Sequence, residues 1–209
     1  MVRSFLYGLS VFVCLGVVAG TGCRQTGVGD PCFPEQEYDK SFLGFAEQEV
    51  NVESKSYQCQ TRLCLVNHFR GRVTCPYGQD STGNPPSGAE ACLIPGSEVK
   101  VDGLDADGNP TDPRVGSTVR PQCIDRLAKN AVYCSCRCAN ADGLTNDGAR
   151  YCSCPDGYQC EQLVAPLGQV DVGLTGAYCI KAGTAFDPNQ GPCARSCVPG
   201  QDDAECDFR

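Results

Sequence analysis

Tryptophan is missing from this chain of 209 residues, and histidine occurs once, at His68. Basic residues never gather into a run, and 17 Lys and Arg face 25 Asp and Glu, a formal charge of −8. Such a chain repels nucleic-acid phosphates and offers no cationic helix to hold a membrane surface. There is no G-x-S-x-G elbow, no H-E-x-x-H helix and no C-x2-C pair. Those gaps remove common signatures of serine hydrolases, zinc peptidases, thioredoxin-type redox sites and zinc knuckles. A Ser-His-Asp triangle needs His68 beside a nucleophile and a carboxylate, which sequence alone does not supply, so His68 reads as structural and the chain as non-enzymatic. Without Trp, and with eight tyrosines that form no ladder, a sugar-stacking surface is not expected. No N-x-S/T acceptor exists, since Asn109-Pro110-Thr111 is blocked by proline.

One apolar run is present, at the start. Arg3 precedes Ser4–Gly20, which carries no charge and reads as the n-region and h-region of a secretory signal. It is too short and too rich in glycine for a membrane span of roughly 20 apolar residues. An ordinary peptidase cut after Ala19 would release a soluble form beginning at Gly20. The stretch ending in Gly20-Thr21-Gly22-Cys23 instead resembles a bacterial lipobox, although Gly20 stands where an aliphatic residue is usual. That resemblance implies residues 1–22 as signal peptide and Cys23 as the lipidated N-terminus.

Parity separates the two. Of 18 cysteines, the signal removes Cys14 and leaves an odd 17; acylating Cys23 leaves 16, enough for eight disulfides. Arg24, rather than Asp, follows Cys23, which by the same resemblance directs the protein to the outer membrane. Residues 23–30 read as a lipidated tether.

The remaining cysteines are disulfide candidates: Cys32, Cys59, Cys64, Cys75, Cys92, Cys123, Cys134, Cys136, Cys138, Cys152, Cys154, Cys160, Cys179, Cys193, Cys197 and Cys206. In an oxidising compartment thiols at this density close into disulfides. On an extended strand Cys134, Cys136 and Cys138 share one face about 6.6 Å apart and diverge little, so pairing within the triplet is strained. Each needs a partner elsewhere. Tyr151–Cys160 resembles the C-terminal part of an EGF-like module, with a Pro155-Asp156-Gly157 turn, and is read as hairpin chemistry.

Elsewhere Val50 and Val52 alternate with polar residues, residues 56–69 alternate loosely, and Ser97–Val101 is a further strand. Cys59, Cys64 and Cys75 are placed to staple the hairpin, and Cys193, Cys197 and Cys206 to staple the tail. Ile124, Leu127, Ala128 and Ala131 predict one short helix. The polar stretch 79–90 marks a boundary between an N-terminal stapled β lobe, 31–80, and a C-terminal cysteine-rich β lobe, 91–209. The expected class is mainly β, in small disulfide-rich, loop-dominated units with at most one or two short helices.

No cofactor is expected, with calcium the one alternative. Asp105, Asp107 and Gly108 fit part of an EF-hand loop, but its first and twelfth positions fall on Gly103 and Arg114. Asn140, Asp142, Asn146 and Asp147 supply further oxygens, which turns also require.

Residues 29–79, with "AVYCSCRCANADG" and "AYCIKAGT", resemble a group of cysteine-rich outer-membrane lipoproteins of myxobacteria, among them contact-stimulated gliding-motility proteins. The resemblance implies a location and a cellular context, and no catalytic residue. The expected function is a lipid-anchored outer-membrane protein, facing the periplasm or the surface, that binds an envelope protein partner in gliding motility or adhesion. The alternatives are a secreted disulfide-rich inhibitor or enzyme, and a calcium-dependent adhesion module.

Overall fold

The computed structural model describes residues 27–165, 174–189 and 193–206. The expected signal segment and the expected lipidation site, Cys23, fall outside the described residues.

Three antiparallel strands, β1 (Val50–Glu53), β2 (Cys64–Asn67) and β3 (Val132–Cys134), form one sheet in the order β1-β2-β3. A second sheet joins β4 (Arg137–Ala139), β5 (Tyr158–Val164) and β6 (Gly176–Lys181) in the order β4-β6-β5, again antiparallel. Among the described residues α-helix is confined to α1 (Ala128–Ala131) and α2 (Asp203–Cys206), with 3-10 turns at Glu35–Tyr38 and Ile124–Arg126. The protein is mainly β, rich in disulfides and dominated by loops.

The central strand of each sheet explains where the cores lie. β2 is buried along its length. Cys64 and Val66 join Phe45, Phe69, Val73, Ala128 and Val132, whereas Leu65 joins Tyr133, Tyr178 and Ile180, against which Val50 and Val52 pack. A strand covered on both faces has no reason to alternate apolar with polar residues, and "CLVN" does not. β6 sends Tyr178 and Ile180 into this shared core and Ala177 and Cys179 into a sulfur-rich one with Cys136 and Cys138. One face is hydrocarbon and the other largely cystine.

Ser135 carries the chain from one sheet to the other. Its N–H donates to the Leu63 carbonyl at 3.0 Å and its hydroxyl to the Cys179 carbonyl at 2.7 Å. Cys134, Cys136 and Cys138 therefore do not share one strand face. Cys134 ends β3 in the first core, while Cys136 and Cys138 enter the cystine core.

All sixteen candidate cysteines pair, as Cys32–Cys64, Cys59–Cys134, Cys75–Cys92, Cys123–Cys193, Cys136–Cys152, Cys138–Cys160, Cys154–Cys179 and Cys197–Cys206. Each member of the Cys134–Cys138 triplet does bond to another segment. Cys59, Cys64 and Cys75, by contrast, staple no common hairpin, because each reaches beyond it. The tail is closed by Cys197–Cys206 and tied to Cys123 through Cys193.

Two further expectations are corrected. The helix over 124–132 splits into a 3-10 turn and α1, with Leu127 extended between them at ψ 156°. Arg126 causes the break: its guanidinium donates to the carbonyls of His68, Asn67 and Thr184, pulling that turn off the helical path. Ser97–Val101 is no strand, since its pairing is one bridge between Lys100 and Leu93. Strand pairing crosses residues 79–90, since β1 and β2 lie before them and β3 after, and Gln79 bridges to Val119.

Candidate functional site

Clefts line up around the 3-10 turn Glu35–Tyr38. One of about 420 Å³ is lined by Phe33, Glu35, Tyr38, Glu53, Lys55 and Tyr57. Another, of about 570 Å³, shares Glu35 and Tyr38 with it and continues past Asp39 and Lys40 to Ile94. A third, of about 410 Å³, runs on from Gln36 and Asp39 to Phe42 and Asp112. Adjacent clefts share lining residues, Glu35 and Tyr38 or Gln36 and Asp39, and so lie side by side as a grooved surface around the turn.

The groove's walls are fixed from behind. Glu37, in the middle of the 3-10 turn, is wholly buried and faces Arg72, also wholly buried, at 3.4 Å. The Glu37 carboxylate accepts from the Val73 N–H at 2.7 Å and the Thr74 hydroxyl at 3.0 Å. Arg72 donates to the carbonyls of Asp39, Phe42 and Glu37, so one guanidinium gathers the loop on both sides of the turn. The 35–38 segment is thereby held as a rigid ridge.

Its outer surface is aromatic and acidic. Tyr57 is 89 % exposed and Tyr38 49 %, unusually open for large aromatic side chains. The Arg62 guanidinium lies 4.3 Å from the Tyr57 ring centroid and braces one face. Gln58 exchanges two hydrogen bonds with the Phe33 backbone, at 2.9 and 2.7 Å, which fixes the floor. The Glu53 carboxylate accepts from the Glu35 N–H at 3.1 Å. Burial pushes the Glu53 carboxyl above its ordinary range, and the neighbouring Glu35 charge adds to that. The Tyr38 phenol is raised as well, by burial and then by Glu53 and Glu37. An arriving cation would relieve this crowding of negative charge and could stack on a tyrosine face.

His68 lies elsewhere. Its ring stacks on Phe186 at 3.9 Å and 7°. Nδ1 is 3.0 Å from the Glu47 carbonyl, which can only accept, so Nδ1 carries the hydrogen. Burial lowers its pKa, and the Arg126 charge acts in the same direction. Its backbone sits at φ 51°, with the carbonyl taken up by Arg126. The position is a packing joint.

Of the calcium candidates, Asp105 and Asn140 hold turns with their side-chain oxygens. Asp105 Oδ1 accepts from the N–H groups of Asp107 at 2.9 Å and Asn109 at 2.8 Å. Asn140 Oδ1 does the same for Asp142 at 3.0 Å and Leu144 at 2.8 Å. Asp80, not singled out in the sequence, repeats the arrangement with Thr82 at 2.8 Å and Asn84 at 3.0 Å. Each loop has glycine at its fourth position, Gly83, Gly108 or Gly143, at φ +79°, +82° and +75°. The three are one device used three times: a side-chain oxygen holds the bend and glycine takes the left-handed residue. Asp142 joins only through its N–H. Asp147 instead accepts from Tyr151, Asn140 and the Ala149 N–H, which lower its pKa to about 2.

Sequence reasoning missed Tyr38, Tyr57, Glu35 and Glu53. Only contacts between residues 33–40 and 53–62 bring them together. Sulfurs also cluster, as Cys32 with Cys59 and Cys134, or Cys136 with Cys152 and Cys179, but each of these cysteines is already in a disulfide. No family model, curated protein or solved structure matches this chain.

Proposed function

We propose that this chain is a non-enzymatic, lipid-anchored outer-membrane protein whose stapled domain presents the tyrosine-lined acidic groove to another envelope protein, in gliding motility or surface adhesion. The observation carrying the binding role is two exposed tyrosines, Tyr38 on a ridge locked by a buried ion pair and Tyr57 across the cleft, with Glu35 and Glu53 between them. Rigid aromatic side chains on a preorganised surface bind with little loss of conformational entropy. The chemistry suits a partner segment bearing lysine or arginine.

The anchor and the cellular context rest on the signal segment, on Cys23 and on the myxobacterial resemblance. Changing Cys23→Ser should abolish lipid labelling and release the protein from membranes; unchanged retention would refute the anchor. Loss of the protein should impair surface movement of single cells, and contact with non-motile donors carrying it should restore movement transiently. Normal movement without it would refute the motility role. Tyr38→Ala with Tyr57→Ala should reproduce the deletion while membrane retention stays unchanged and no free thiol appears. Full function in that double variant would refute the groove.

A further inference from the structure

Three disulfides of the second sheet lie side by side in a row, with an exposed cysteine at one end and a fully enclosed one in the middle. Cys160, bonded to Cys138, is exposed, Cys152 and Cys154 are half-buried, Cys136 and Cys138 are buried, and Cys179 is fully enclosed. The sulfurs of Cys138, Cys154 and Cys160 all lie within 4.8 Å of one another. Cys154 is bonded to Cys179, whose sulfur is 3.7 Å from Cys136 and 3.7 Å from Cys152, themselves a pair. The Cys154–Cys179 bond thus touches one neighbouring disulfide at each end.

We propose that this row is a thiol–disulfide exchange relay, opened at Cys160 by the thiolate of an external reductant. Exchange proceeds by attack of a thiolate on a disulfide sulfur, at a rate that depends on access. The external thiolate bonds to Cys160, the Cys138–Cys160 bond breaks, and Cys138 leaves as a thiolate. Cys138 then attacks Cys154, forming Cys138–Cys154 and releasing Cys179. Cys179 attacks Cys136, forming Cys136–Cys179 and releasing Cys152, the more solvated of the two available leaving groups. Every step makes one S–S bond and breaks one. With a monothiol the product carries a mixed disulfide on Cys160 and a free thiol on Cys152. With a dithiol the second thiol displaces Cys160, so the reductant is oxidised by two electrons and the chain is left with thiols at Cys160 and Cys152. The reducing equivalent enters at the surface and emerges at the far end of the row.

Peptide mapping tests this. The oxidised mature protein is treated with limiting reduced glutathione, quenched in acid, alkylated and digested. The expected product has glutathione on Cys160, alkylation on Cys152, and the new bonds Cys138–Cys154 and Cys136–Cys179. Dithiothreitol should give the same new bonds with alkylation on both Cys160 and Cys152 and no adduct. A glutathione adduct on Cys160 with alkylation confined to Cys138, an adduct first at another disulfide, or no adduct at Cys160 overturns the relay. In the paired variant Cys138→Ser with Cys160→Ser, the exchange at Cys154–Cys179 and Cys136–Cys152 should be lost at the same glutathione concentration; undiminished exchange there would likewise overturn it. Because the mapping is done on the unmodified protein, a folding failure of the variant leaves the first readout decisive.

Discussion

Arg72 and Glu37 are both at 0 % exposure, and taking two charges out of water costs several kcal/mol per ion before their attraction offsets it. The protein accepts that cost where the groove's ridge is fastened. Burial pushes the Glu37 carboxyl upward, against the pull of Arg72 and of the Val73 and Thr74 hydrogen bonds. A carboxyl whose folded pKa is raised holds its proton more tightly in the folded state, so its contribution falls as pH rises from the ordinary carboxylate range through the raised value. Glu37→Gln leaves Arg72 buried without a counter-charge and should cost about 3–5 kcal/mol in urea unfolding. Adding Arg72→Met should recover some of that loss, and a neutral single variant would contradict the pairing. Asp147 titrates the other way. Hydrogen bonds from Tyr151, Ala149 and Asn140 hold its pKa at about 2, so its contribution is present above the ordinary aspartate value and is lost as pH falls toward 2. Carboxyl NMR should show a midpoint near 2 that rises in Tyr151→Phe; an ordinary midpoint in the unmodified protein would contradict the hydrogen-bond network.

Elements here are short, and what made some of them legible was local chemistry. β1 was readable because Val50 and Val52 alternate with polar neighbours, and the 155–157 turn because Gly157 takes φ +83° while the Tyr158 N–H closes onto the Pro155 carbonyl at 3.0 Å. β2 was legible only as loose alternation within 56–69, since burial on both faces blurs the period-2 pattern. The helix over 124–132 had correct spacing, but the Arg126 hydrogen bonds to residues 67, 68 and 184 overrode it. The groove was invisible for the same reason. The repeated loop gives an element-scale test. At Gly108 an added Cβ meets nothing within 4 Å, so Gly108→Ala should cost only the left-handed penalty, about 1–2 kcal/mol. At Gly78 the same atom would sit 2.3 Å from the Val119 carbonyl oxygen, so Gly78→Ala should cost clearly more in the same unfolding assay. Equal losses would mean that the 78–119 contact does not constrain the loop.

For the whole molecule, the cross-links do what a larger hydrocarbon core does elsewhere. Cys59–Cys134 spans 75 residues and ties the loop before β2 to the end of β3, whereas Cys197–Cys206 spans only 9. In the chain-entropy model, removing the long link by paired serine substitution should cost about 4 kcal/mol, and removing the short one about 2–3. Calorimetry of the two variants would reverse the account of the fold if the short link mattered more. The central claim is that the sixteen cysteines from Cys32 onward are all in disulfides and that, under the proposed anchor, Cys23 carries lipid. Alkylation of the denatured, unreduced protein followed by disulfide mapping tests it most directly. The account predicts no alkylated thiol, a lipid-modified Cys23 and the eight pairs described above. Alkylation of four or more cysteines with a bound metal, or a free thiol at Cys23, would contradict it.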